Sequence, residues 1–144
     1  MIQRFHLKKN LQNLKTIYIH TSAECIGNHA EYIRDGLNYE QWLHNVTYCL
    51  KNEIDVHIMM TLNALCFASF DKFQEQIIEL REQFPKVDLS MSYNLLRFPS
   101  FQSITTLPEH IKKQKIDQYV KWTNKHKKYL YAEEIAGMQR GSCW

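Results

Sequence analysis

Ser22 and Glu24 stand two residues apart in the stretch "SAECIGNHAEYIRDGLNYEQWLHNV", and Arg34 follows in the same stretch. A hydroxyl and a carboxylate at that spacing can both accept hydrogen bonds from vicinal hydroxyls such as those of a ribose. Arg34 offers a planar fork suited to a carboxylate. Together the three would suit a zwitterionic nucleoside. The competing assignment is purely structural, with Ser22 and Glu24 capping the next turn and Arg34 pairing with a surface acid. His20 and His57 invite a metal or acid/base role, but two histidines are too few ligands for a metal site, and hydrogen-bonded structural histidines are the simpler reading. Cys25, Cys49, Cys66 and Cys143 contain no pair at close metal-ligand spacing. A nucleophilic Cys25 would need a lowered pKa. No serine or cysteine triad, phosphate loop or paired-carboxylate motif stands out, and no catalytic residue is assigned.

These groups need a scaffold, and the hydrophobic pattern supplies one. Ile17 and Ile19 alternate with Tyr18 and His20, which predicts a strand ending near Thr21 with the quoted stretch as its exit loop. Asn38 followed by Gln41 has the form of a capping box, and Leu43, Val46 and Leu50 recur at helical spacing, with Trp42 and Cys49 widening the stripe. In "IDVHIMMT", Ile54, Val56, Ile58 and Met60 share one face and Asp55, His57 and Met59 the other. Ser69 is the expected N-cap of a helix carrying Phe73, Ile77, Leu80 and Phe84, which Pro85 ends. "VDLSMSY" alternates most cleanly. A two-proline loop and a helix from about Glu109 to Tyr131 follow it.

Three strands alternating with three helices imply parallel strands joined by right-handed crossovers, an α/β fold. Central strands of a doubly wound sheet are apolar on both faces, whereas one face here carries Tyr18, His20, Asp55, His57, Ser90 and Ser92. An open or half barrel with a polar concave side explains this, and so does a two-layer sandwich with one bare sheet face. In parallel α/β folds ligands bind at the carboxyl ends of the strands. The residues at that rim are Ser22, Glu24, Glu31, Arg34, Thr61, Asn63, Asn94 and Arg97.

At 144 residues and 44% hydrophobic content the chain suits a single domain, 1–144. The formal charge of +3 is mild. It is concentrated in "KKQKIDQYVKWTNKHKK", where lysines on the outer face of an amphipathic helix are read as solvated and a nucleic-acid partner is not expected. The start "MIQRFHLKKN" has no apolar signal core, and no run is long enough for a membrane span, so a cytoplasmic protein with free thiols and no membrane contact is expected.

"TSAECIGNHAEYIRDGLNYEQWLHNV", then "DVHIMMTLNAL" and "LLRFPSFQSITTLP", resemble the later part of radical S-adenosylmethionine proteins of the twitch, or SPASM-like, group. In that group a strand commonly ends in Ser-x-Asp or Ser-x-Glu, followed by an "AEYIR" segment, a Gly and a helix ending in Asn-Val. The resemblance covers roughly residues 15 to 108. It implies a partial, TIM-like barrel of six parallel strand-helix units, of which this chain would hold the last three over about 15–131, with 132–144 as a tail. Carried over by position, Ser22 and Glu24 would contact the ribose or a neighbouring part of S-adenosylmethionine, Arg34 its carboxylate, and Asn63 would lie on the same rim.

The family holds a [4Fe–4S] cluster with a Cys-x-x-x-Cys-x-x-Cys loop after the first strand, and this sequence contains no such loop. The chain therefore reads as a fragment or shortened relative that contributes the S-adenosylmethionine-binding rim and the substrate side, and is inactive alone. The intact protein would form a 5'-deoxyadenosyl radical that abstracts hydrogen from a substrate, with a peptide or protein as one candidate class. A missing N-terminal half, or self-association through an exposed strand edge, would complete the sheet. The alternative is a non-catalytic, standalone α/β binding or assembly module, dimeric through that same edge.

Overall fold

A computed structural model describes residues 17–141 of the chain, with side chains as far as 138. Three strands, β1 (Tyr18–Ser22), β2 (Asp55–Leu62) and β3 (Leu89–Leu95), form one parallel sheet in chain order, and the sheet is not closed. Five α-helices accompany it among the described residues: α1 (Gly27–Ile33), α2 (Tyr39–Lys51), α3 (Phe70–Gln83), α4 (Glu109–His126) and α5 (Ala132–Gly141).

The alternation in β2 sorts its side chains. Val56, Ile58, Met60 and Leu62 are buried, while Asp55, His57 and Thr61 are half-buried and Met59 is exposed. On β3, Leu89 and Met91 continue the apolar face, and Ser90 and Ser92 the polar one. Helix α2 starts where Asn38 accepts the Gln41 N–H at 2.8 Å, the cap expected of that sequence. It buries Tyr39, Trp42, Val46 and Leu50, and α3 buries Phe70, Phe73, Ile77 and Leu80, at helical spacing. These side chains and the apolar sheet face form one core. Each fully buried large apolar side chain contributes about 1.5–3 kcal/mol, so the core fixes the strand register and with it the rim.

Two segments differ from the sequence reading. The quoted exit loop contains a helix, α1, which has no side-chain cap and buries only Ala30. Too few buried positions exist there for a periodic signal. Residues 132–141 form helix α5 and are no tail. The preceding long helix ends at His126, and a turn of 3-10 helix covers Lys127–Tyr129.

Helix α5 is held against the outer edge of β3 by an ion pair. Glu134 is 1% exposed, and its carboxylate accepts the Met91 N–H at 2.8 Å and the Tyr131 N–H at 3.0 Å. Arg81 of α3 donates to Glu134 at 3.0 Å, to the Leu89 carbonyl at 2.7 Å and to the Tyr129 carbonyl at 2.8 Å. The pair thus supplies the acceptor and donor that a further strand beside β3 would otherwise provide. Close packing goes with it, since a Cβ on Gly137 of α5 would stand 3.0 Å from the Tyr93 ring.

Candidate functional site

The carboxyl ends of the three strands form the rim at which the sequence places its chemistry. Ser22 is the last residue of β1 and half-buried. Glu24, two residues on, is 2% exposed. Arg34, at the end of α1, turns back to it: Nε donates to Glu24 Oε2 at 2.8 Å, and Nη2 donates to Oε1. The backbone N–H of Thr61, near the end of β2, also donates to Oε1, at 3.2 Å. Glu24 therefore takes the place of a strand residue beside β2 once β1 has ended.

The electrostatics follow from this geometry. A buried carboxylate needs compensation, and the bidentate guanidinium with the Thr61 amide supplies it. In return, the hydrogen bonds to Glu24 raise the Arg34 pKa above its ordinary value. The Arg34 side chain remains 34% exposed. Its Nη1 has no hydrogen-bond partner among the described residues, so one donor edge of the fork faces outward.

Asn63 follows β2 directly and is buried. Its side-chain carbonyl accepts the Leu65 N–H at 2.9 Å and the Cys66 N–H at 3.0 Å, and its amide donates to the Thr61 carbonyl at 3.2 Å. This is an Asx-type turn, and it occupies the acceptor oxygen. Glu31 accepts the Tyr39 N–H at 2.9 Å and anchors the start of α2. Of the residues singled out from sequence, Glu24 and Arg34 are in direct contact, whereas Asn63 and Glu31 are bonded to the chain around them.

The thiols are not poised for nucleophilic chemistry. Burial, helped by the Glu24 charge, pushes Cys25 up to about 12, and burial pushes Cys66 up to about 12. Cys49 is also raised by burial. Cys143 lies outside the described residues. Among the described residues no three His, Cys, Asp or Glu side chains are grouped to hold a metal ion, and no helix is long and apolar enough to cross a membrane.

On the polar sheet face, the register sets His20 opposite His57, with ring centroids 5.3 Å apart. His57 Nδ1 bonds Ser90 Oγ at 2.9 Å and Nε2 bonds Ser92 Oγ at 3.0 Å. Tyr18 joins Ser90 at 2.7 Å and donates to Asp88 at 3.3 Å. Partial burial, then the neighbouring His20, lowers the His57 pKa. Sequence reasoning placed these residues on one face but did not identify the serines as partners of His57. The spacing Ser90-x-Ser92 opposite His57 was the available signal.

The loop after β3 carries Phe98, 83% exposed, just before a short 3-10 turn (Ser100–Gln102), and Phe101, 74% exposed, within that turn. Its Gln102 carbonyl accepts the Ala64 N–H at 2.8 Å, which ties the loop to the exit of β2.

Comparison of the chain with protein-family models, with curated proteins and with solved structures gives no match.

Proposed function

We propose that this chain contributes the S-adenosylmethionine-binding rim and the substrate side of a radical S-adenosylmethionine barrel, as the last three strand-helix units of a partial barrel. The observation that supports this most is the Arg34–Glu24 pair, which sits where β1 and β2 end and leaves Arg34 Nη1 facing outward. An outward guanidinium edge is suited to a carboxylate. In this reading Arg34 binds the cofactor's carboxylate, Ser22 offers its hydroxyl to the ribose, and Glu24 acts mainly by orienting Arg34. Asn63 shapes the neighbouring turn of the same rim.

In the intact protein the iron–sulfur cluster would supply the electron that cleaves the cofactor. Cys25 and Cys66 do not fit cluster ligation, because both are fully buried with thiols held protonated near neutral pH. No step is assigned to them. The polar sheet face would turn toward the substrate. Exposed Phe98 and Phe101, next to exposed Arg97, support a peptide or protein substrate, since large exposed aromatic groups commonly mark contact surfaces.

Amide NMR titration of the isolated chain with S-adenosylmethionine tests the reading. Saturable shifts are expected at residues 22–25, 34 and 61–63. Saturable binding elsewhere, or no shifts up to about 10 mM ligand, beyond the weakest useful affinity, would remove its basis.

A further inference from the structure

The sheet has two edges, and the structure treats them differently. On β3 the outward Met91 N–H and Leu89 carbonyl are taken by Glu134 and Arg81, with α5 behind them. On β1 the only neighbouring strand among the described residues is β2. Natural sheets protect edges with proline, lysine, bulges or covering segments. The sequence of β1, "YIHTS", contains neither proline nor lysine.

The direction of each backbone group on β1 follows from the ladder. Val56 donates to the Asp88 carbonyl, so Val56, Ile58 and Met60 bond toward β3, and the alternate residues Asp55, His57 and Met59 bond toward β1. His57 lies opposite His20 and therefore bonds to the residues flanking it, Ile19 and Thr21. The N–H and carbonyl groups of Tyr18, His20 and Ser22 consequently point away from the sheet.

We propose that this edge pairs with the β1 edge of a second copy of the chain, antiparallel, about a two-fold axis through His20. Three outward residues at alternate positions are self-complementary in that arrangement. His20 exchanges both bonds with His20 of the second copy, and Tyr18 exchanges both with its Ser22, giving about six backbone hydrogen bonds. On the apolar face Ile19 meets Thr21 of the copy, and on the polar face the two His20 rings meet. The two three-stranded sheets become one six-stranded sheet. The polar faces merge into a single surface carrying both His20–His57 pairs, so the copies share one polar face. The second copy takes the edge that a preceding half of a barrel would otherwise take, so this inference stands apart from the functional reading above and needs neither S-adenosylmethionine nor that half.

Sedimentation velocity of the 144-residue chain over roughly 1–300 μM, the range in which micromolar association shows by mass action, is the test. Two chains of 17.3 kDa should associate reversibly into a dimer. His20→Pro removes an outward donor while leaving the bonds of β1 to β2, a position where an edge strand accepts proline. It should weaken the dimer by about tenfold or more. Tyr18→Pro, at the first residue of the strand, should act the same way, and circular dichroism checks that each variant is folded. Hydrogen exchange supplies a second readout, because the amides of His20 and Ser22 should slow as concentration rises. A monomer throughout the range, a dimer that both folded proline variants leave unchanged, or His20 and Ser22 amides protected equally at all concentrations would overturn the proposal.

Discussion

Replacing Glu24 by Gln removes the charge from a side chain that is 2% exposed and accepts hydrogen bonds from Arg34 Nε, Arg34 Nη2 and the Thr61 amide. The new amide nitrogen must face one of these donors, so at least one bond is lost and a donor is left against a donor. Hydrogen bonds to a charged group contribute about 1.5–3 kcal/mol each, and breaking a fully buried ion pair costs about 3–5 kcal/mol. Arg34 is one-third exposed, so water recovers part of its loss. The expected destabilisation is therefore about 2–3 kcal/mol, with a Tm lower by about 6–12 °C for a domain of this size. Arg34→Met leaves the Glu24 carboxylate buried without its main partner and should cost a similar amount at neutral pH. Because both variants remove one interaction, the double variant should lose much less than the sum, with a coupling of about 1–3 kcal/mol in a chemical-denaturation cycle. A coupling below about 0.5 kcal/mol would show that Glu24 does not depend on Arg34, and the assignment of Glu24 as the residue that orients Arg34 would fail.

The remaining expectations concern pH and the thiols. The His57 pKa is lowered in the fold, so the unfolded chain binds the more protons as pH falls. Its contribution to stability is present above the unfolded value near 6.5 and is lost as pH drops below that; His57→Gln should flatten the fall in denaturation midpoint over that window, and an unchanged slope would contradict the assignment. Cys25 and Cys66, fully buried and pushed up to about 12, should resist alkylation at pH 8 in the native chain and react once it is unfolded, as read by mass spectrometry of the digested protein. Rapid native labelling of either would show that the rim around Glu24 opens.

The three strands were legible because each alternates strictly enough to separate an apolar face from a polar one, as Val56, Ile58 and Met60 do against Asp55 and His57. Helix α2 was legible because its cap, Asn38, and its stripe agree. Helix α1 was not, since seven residues with one buried side chain carry no period. Helix α5 was missed for a different reason: it is held by Glu134 pairing with Arg81, an acid and a base far apart in the chain that no local pattern connects. Ser69 illustrates a partial reading. It is the N-cap residue of α3, but its hydroxyl bonds His29 at 2.6 Å and makes no capping bond. At the rim, the sequence offered Arg34 either a ligand or an acid, and the acid it meets is Glu24, the neighbour proposed to share that ligand. Only the fold of α1 could show that Arg34 returns to Glu24.

Arg34 is proposed to bind the carboxylate of S-adenosylmethionine at this rim. Isothermal titration of the chain with S-adenosylmethionine and with its decarboxylated analogue tests this most directly. The expected result is saturable binding of the first, about tenfold or more weaker binding of the second, and no such difference in Arg34→Met. Equal affinity of the native chain for the two ligands, or binding of neither, would contradict the proposal.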